Sequence, residues 1–206
     1  IYAKIFNEDG TQRGSEVSIS INENSVINTV VGQVIATDLD VSDVLTYSFV
    51  DEFDEQYAHD KFDIDSNGQI TTKADIDFEN QSSYDLRVKV SDGIAYDIQN
   101  LTININDINE APVAVDDDTL STQENTALEI DVLANDFDVD ADDVISINNF
   151  DTQATLVGVL EDGSPILKGT VSLSAGKLEF DPGEDFDYLA VGESQEVTFT
   201  YDITDT

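Results

Sequence analysis

The chain has 206 residues, with 45 Asp and Glu against 8 Lys and Arg, giving a formal net charge of -37. Such a surface repels itself when compact, favours solubility, and is a poor partner for nucleic acid or an anionic membrane. Leu, Ile, Val and Phe supply 62 residues, well above the roughly 20% below which an acidic chain reads as disordered, so folded protein of one or two domains is expected.

The acids are 31 Asp and 14 Glu. Asp is the poorer helix former, suits turns, and offers a compact carboxylate to hard cations. After Lys89 only Lys168 and Lys177 remain as bases, so pairing within the protein cannot neutralise the charge and a counter-charge from solution is expected. The absence of Cys excludes disulfides, thiolate metal sites and thiol nucleophiles. No apolar run approaches the roughly 18 residues of a membrane span, so no direct membrane insertion is expected.

In chain order, Ile1 to Phe6, the turn Asn7-Glu8-Asp9-Gly10, and Glu16 to Ile21 read as a hairpin, the tail of an upstream repeat. Strands follow at Ile19–Ile21, Val30–Ala36 and Leu45–Val50. Tyr47, Phe49, Phe53, Tyr57 and Phe62 raise the prospect of a sugar site, although Tyr47 and Phe49 alternate with polar residues as core positions do. His59 is the only His and has no nucleophile motif beside it, so no enzyme is expected. Asp63 to Ile70 matches the first half of an EF-hand loop, but Ala74 stands where the bidentate Glu belongs. A turn between two strands, with Gly68 at positive φ, is the better reading.

Tyr84 to Val90 alternates strictly, with Tyr84, Leu86, Val88 and Val90 on one face. Further strands are expected at Leu101–Ile105, Val171–Leu173 and Val197–Tyr201, with Asp-Gly, Asn-Gly, Ala-Gly and Pro-Gly turns between strands. Asp136 to Asp142 fails the EF-hand test too, having Ala141 for Gly and Ile147 at position 12. The Asn80 and Asn100 sequons are expected by chance in this composition. Many short strands and no helical period predict an all-β protein of two tandem antiparallel Ig-like or cadherin-like β-sandwiches.

The chain repeats weakly. Ile21-Asn22-Glu23-Asn24-Ser25 returns as Thr122-Gln123-Glu124-Asn125-Thr126, Asp38-Leu39-Asp40-Val41 as Asp136-Phe137-Asp138-Val139, and Asp92 as Asp205. The boundaries read as 1–18 for the tail, 19–111 for the first domain and 112–206 for the second. The first copy continues past Asp92 through a strand to Ile105, while the second stops at Asp205. Its last strand is expected to be absent or supplied by another chain, and the whole reads as a piece of something longer.

Within the first copy carboxylates gather at Glu23, at Asp75, Asp77 and Glu79, and at Asp107 and Glu110 with Asn109 between. Loops at one end of a sandwich lie together, and calcium takes six to eight oxygens in irregular geometry. Solvated loop acids, or halophilic acidity, are the plainer alternatives. Halophilic acids would spread over strand faces, whereas calcium ligands would cluster at sandwich ends.

These residues resemble a cadherin repeat over 19 to 112. Glu23-Asn24-Ser25, Val30 to Asp40, Phe62 to Ile70, Ile76-Asp77-Phe78-Glu79 and the Asp107 to Pro112 linker stand in the right order. The resemblance implies calcium held at the linker, stiffening a rod. Carried over by motif, Glu23, Asp77, Glu79, Asp107, Asn109 and Glu110 would be ligands, completed by Asp136, Asp138 and Asp205. Asp38, Asp40 and Asp92 would serve a junction with a preceding repeat. The linker is shorter than the family's Asp-x-Asn-Asp-Asn-x-Pro pattern, which implies one or two ions rather than three.

Residues 113 to 206 resemble the cadherin-like and VCBS-type repeats of giant bacterial surface proteins, through Pro112 to Asp117, Ile130 to Asp136 and Phe186 to Glu193. This implies an extracellular or cell-surface location in the extender region of a repeats-in-toxin adhesin. Partners would be neighbouring repeats, homophilic contacts or polysaccharide. An extracellular carbohydrate-binding module is the alternative function.

Overall fold

The computed structural model describes residues 2–7, 17–40, 42–118, 120–159 and 164–206, with side chains from 17 onward except 157–159. The chain divides into two compact units, Ile1–Ile108 and Asn109–Thr206. Among the described residues every regular element is a strand.

The first unit has eight strands: β1 (Tyr2–Asn7), β2 (Val17–Asn22), β3 (Val30–Thr37), β4 (Thr46–Phe49), β5 (Phe62–Ile64), β6 (Gln69–Thr72), β7 (Ser83–Ser91) and β8 (Tyr96–Asn106). They form two four-stranded sheets, β1-β3-β6-β5 and β2-β8-β7-β4. Period-two alternation places Tyr84, Leu86, Val88 and Val90 of β7 inward, none more than 7% exposed. They pack with Leu101 and Ile103 of β8 and Val34, Phe62 and Ile70 of the facing sheet. Each fully buried side chain of this size contributes roughly 1.5–3 kcal/mol. One pair departs from the antiparallel pattern: β2 runs parallel to β8, from Val17↔Leu101 to Asn22↔Asn106.

The expected hairpin between residues 1–6 and 16–21 does not form. β1 pairs instead with β3, from Tyr2↔Thr37 to Asn7↔Gly32, while β2 joins the other sheet. Most of its proposed turn, 8–10, lies outside the described residues. The EF-hand-like segment is the β5–β6 turn. Asp65 Oδ1 accepts from the N–H of Asn67 and Gln69 at 2.8 Å each, and the Gln69 bond above all holds its carboxyl below the usual carboxylate range. Gly68 sits at φ 80°, where a Cβ would stand 2.5 Å from the Val34 carbonyl oxygen.

The second unit carries β9 (Leu128–Ile130), β10 (Ser146–Phe150), β11 (Ala154–Val159), β12 (Pro165–Lys168), β13 (Thr170–Ser174), β14 (Lys177–Asp181), β15 (Val197–Thr198) and β16 (Tyr201–Thr204). Its sheets are smaller: β13-β14-β9, β12-β11-β15 and β10-β16. The core gathers Ile130, Val132, Ala154, Val171, Leu178, Phe180 and Phe186. The single strand expected over Val197–Tyr201 is split between two sheets, because Asp151 Oδ2 takes the Thr200 N–H at 2.9 Å and its hydroxyl at 2.8 Å.

Candidate metal centre

In the first unit the site is built on strand ends. β2 stops at Asn22, and Glu23 turns inward, where it is 4% exposed. Backbone pairing fixes it there: its N–H donates to the Asn106 carbonyl at 3.1 Å, and Asn24 N–H donates to the Ile76 carbonyl at 3.0 Å. Its Oε2 accepts from Phe78 N–H and its Oε1 from Ile108 N–H, each at 2.8 Å. One buried carboxylate thus ties the loop after β6 to the end of β8. Each carboxylate oxygen keeps a further lone pair. Glu79 and Asp107 bring one oxygen each, and the three oxygens lie within 4.8 Å of one another. Asp77 stays at the surface, where its Oδ1 accepts from Asn80 N–H at 2.9 Å and it stands outside that trio.

In the second unit Asp138, Asp143 and Asp205 bring one oxygen each to within 4.8 Å of one another. Asp138 Oδ1 accepts from Asp140 N–H at 3.0 Å, and Asp143 N–H donates to the Asp140 carbonyl at 3.1 Å, so the loop is wound around Asp140. Asp140 is buried and accepts Glu110 N–H at 2.7 Å. Asn109 donates to Asp205 Oδ2 at 3.3 Å. Asp138 Oδ2 and Asp143 Oδ2 are buried without a hydrogen-bond partner. Burial, then the charges of Asp140, Asp205 and Asp138, push the Asp143 carboxyl above its ordinary value.

Asp136 is engaged elsewhere: its Oδ1 takes Val115 N–H at 2.7 Å, and Tyr201 hydroxyl lies 3.4 Å from each of its oxygens. Burial, followed by the Asp117 and Asp136 charges, pushes that hydroxyl well above the usual tyrosine range. In the first unit Asp40 N–H donates to Asp38 Oδ1 at 2.9 Å, and Asp92 Oδ1 accepts Ile94 and Ala95 N–H at 2.7 Å each. Those two bonds, Ala95 first, lower the Asp92 carboxyl. Asp38, Asp40 and Asp92 belong to neither trio.

Sequence reasoning left out Asp140 and Asp143. The signal was present as Asp38-x-Asp40-x-x-Asp43, which returns 100 residues on as Asp138-x-Asp140-x-x-Asp143. Both copies wind alike, with Asp43 N–H on the Asp40 carbonyl at 3.0 Å.

The donor sets are carboxylate oxygens, which suit a hard cation of calcium type. The two partnerless buried oxygens are what such an ion would satisfy. Acid placement agrees: Asp63, Asp85, Asp97, Glu129, Glu179, Asp181 and Asp202 are the acids within strands among the described residues, and the rest stand in loops. Within the aromatic stretch, Phe49 and Phe62 are core, Tyr47 packs on it, and Phe53 and Tyr57 are exposed, at 75% and 38%.

Residues 17–106 match the family model described as Cadherin domain, and residues 109–206 the one described as Bacterial Ig domain. Protein dachsous of Drosophila melanogaster is 35% identical over 102 residues, 47% of this chain. Protocadherin Fat 1 of Homo sapiens is 31% identical over 134 residues, 60% of this chain. The chain spans 3% of the length of each. Among solved structures, the Protocadherin GammaB4 extracellular domain aligns with 98% of this chain and 32% of its own, at TM-score 0.51 and 19% identity. Cadherin domains 3-6 of Protocadherin Gamma B2 align with 92% of this chain and 45% of theirs, at TM-score 0.50 and 20% identity. Both likenesses concern the fold. The chain is therefore a cadherin domain followed by a bacterial Ig domain.

Proposed function

We propose that this chain is a calcium-binding tandem module of a large cell-surface adhesin, acting outside the cell as a spacer that holds a ligand-binding tip away from the surface. The observation that carries the reading is the pair of buried, partnerless oxygens on Asp138 and Asp143 beside Asp205. Burying two such oxygens side by side is costly, and a bound cation offsets that cost.

Glu23, Glu79 and Asp107 would hold an ion in the first unit, and Asp138, Asp143 and Asp205 in the second. The ion supplies positive charge, and the protein supplies a set of oxygens held by backbone N–H groups. Asp107 belongs to the first trio, and Asn109 bonds to Asp205 of the second. Each end of the linker is thus tied to its own unit's carboxylates, and ions there restrict the linker backbone. Neighbouring repeats and homophilic contacts are the partners this role implies. The bacterial Ig half favours a bacterial surface and a role in cell adhesion or biofilm.

Calorimetric melting with calcium and with chelator tests the reading. Binding to the folded state adds RT ln(1 + [L]/Kd), so calcium raises both units' melting temperatures in a concentration-dependent way. Superimposable melting curves in the two buffers would overturn it.

A further inference from the structure

The charge of -37 is unevenly spread along the chain. The longest run without Asp or Glu, residues 163–178, holds Lys168 and Lys177, the only bases after Lys89. Both lysines are ion-paired. Lys168 Nζ lies 3.6 Å from Asp185 Oδ1, and Lys177 Nζ lies 3.2 Å from Glu129 Oε1 and 3.5 Å from Asp131 Oδ2. Between them runs β13, Thr170-Val171-Ser172-Leu173-Ser174, with no charged side chain.

β13 lies at the edge of the sheet β13-β14-β9 and, among the described residues, pairs with β14 alone. A two-residue turn closes this hairpin, with Ala175 at φ 51°, Gly176 at φ 82° and Ser174↔Lys177 as the last pair. In such a hairpin the closing pair is hydrogen-bonded, and bonded and non-bonded pairs alternate from there. Thr170, Ser172 and Ser174 therefore bond to β14, while Val171 and Leu173 turn their N–H and C=O groups outward. The Val171 N–H follows this direction and donates to the Thr152 carbonyl at 2.9 Å. Among the described residues no backbone group caps Leu173 in the same way. Its side chain is 46% exposed, opposite buried Leu178.

Edge strands are ordinarily guarded by charge, proline or a covering segment. The edge strand β5 of the first unit follows that rule, carrying Asp63 with Lys73 Nζ 3.4 Å away. β13 has the Thr152 carbonyl at its start and no guard at Leu173. The nearest carboxylates along the sheet, Glu179 and Asp181, belong to β14, a further strand spacing of about 4.8 Å back. More distant charge is screened over about 8 Å at physiological salt. A second acidic chain can therefore approach this edge.

We propose that β13 is a self-association edge, pairing antiparallel with β13 of a second copy of this chain about a twofold axis at Leu173. Each Leu173 N–H then donates to the other copy's Leu173 carbonyl, and the two Leu173 side chains cover each other. The two three-stranded sheets become one continuous sheet. An uncharged edge is self-complementary, whereas a basic partner would meet Lys168 and Lys177 at its two ends. The pairing gives the homophilic contact of the adhesin reading a location, but it does not depend on calcium.

Sedimentation equilibrium of the chain, in calcium and in chelator, should show a reversible dimer in both, with Kd on the order of 0.1 mM for so small an interface. Raising NaCl from about 0.05 to 0.5 M should tighten it severalfold, because like charges beyond the edge are screened. Leu173→Pro removes the outward N–H and leaves the bonds to β14, so it should weaken the dimer about tenfold or more. The chain has no Cys, so Leu173→Cys reports the axis directly. Residues facing each other in a bonded pair lie about 5.5 Å apart, within disulfide reach. Mild oxidation should link Leu173→Cys about tenfold faster than Thr46→Cys on the edge strand β4. A chain that stays monomeric up to about 1 mM would overturn the proposal. So would a dimer undiminished by Leu173→Pro, or equal linking of the two cysteine variants. A dimer formed in calcium and absent in chelator would overturn it as well, leaving the calcium reading intact.

Discussion

Replacing Glu23 by Gln separates the charge of the first trio from its volume. Both carboxylate oxygens accept backbone N–H bonds at 2.8 Å, from Phe78 and Ile108. Hydrogen bonds to a charged group are each worth about 1.5–3 kcal/mol. The amide keeps one acceptor and turns an NH2 toward the other donor, so about 2–4 kcal/mol should be lost. Relief of repulsion works the other way. Two unit charges 4.8 Å apart repel by about 0.9 kcal/mol in bulk water and about 3.5 at an effective dielectric of 20. Glu79 and Asp107 are exposed, so the smaller figure applies to each, and salt reduces it further.

The hydrogen bonds win, leaving a net destabilisation of about 1–3 kcal/mol in chelator. For a unit of this size that lowers the melting temperature by roughly 5–15 °C. In calcium the gap should widen, because the wild type gains about 2.7 kcal/mol at a hundredfold excess over Kd and the variant loses most of it. Scanning calorimetry in both buffers reads the two differences separately. A Glu23→Gln chain that melts like wild type in chelator, or keeps the full calcium shift, would refute the reasoning.

Three further expectations follow from the same geometry. Asp138→Asn should leave the second unit no less stable in chelator, since a repelling charge is removed, yet shrink its calcium-induced shift, as calorimetry would show. Burial above all holds the His59 imidazole below its ordinary value, with Lys73 adding to this and Asp60 opposing it, amid ring contacts to Phe49, Tyr57, Phe62 and Tyr84. The neutral form is favoured on folding, so the contribution is complete above about pH 6.5 and is lost as pH falls below that toward the depressed folded value. Denaturant midpoints of the first unit from pH 7.5 downward should show the loss, and His59→Gln should flatten it. Gly68→Ala should cost about 2–5 kcal/mol, because the added Cβ must adopt positive φ and also meets the Val34 carbonyl and the Tyr47 ring. Urea unfolding monitored by tyrosine fluorescence measures it.

Much of this was legible because strand alternation is local. The pattern at Tyr84 to Val90, the turn at Gly68 and the gathering of acids at strand ends are all readable within a few residues. Pairing partners are not, since nothing in β1 or β2 names the strand it joins. β1 joined β3, and β2 ran parallel to β8 across about 80 residues. β14 alternates buried Leu178 and Phe180 with Lys177, Glu179 and Asp181, but over five residues only, too short a run to stand out.

The register of the repeat slipped for a similar reason. Asp38-Leu39-Asp40-Val41 was matched to Asp136-Phe137-Asp138-Val139 on local identity. The turn geometry and the exact-hundred offset of β4 and β10 set Asp38 against Asp138 instead. In that register Asp140 and Asp143 stand beside Asp138, while Asp136 accepts Val115 N–H. Burial was the missing information, because it separates Asp140 from its many exposed neighbours.

Diffraction from crystals of the chain grown with calcium, with anomalous scattering locating the ions, tests the central claim most directly. The account predicts an ion bound by Glu23, Glu79 and Asp107 and another bound by Asp138, Asp143 and Asp205, with Asp138 Oδ2 and Asp143 Oδ2 among its ligands. Calcium-grown crystals in which both trios show only water, with Asp138 and Asp143 turned out to solvent, would contradict it.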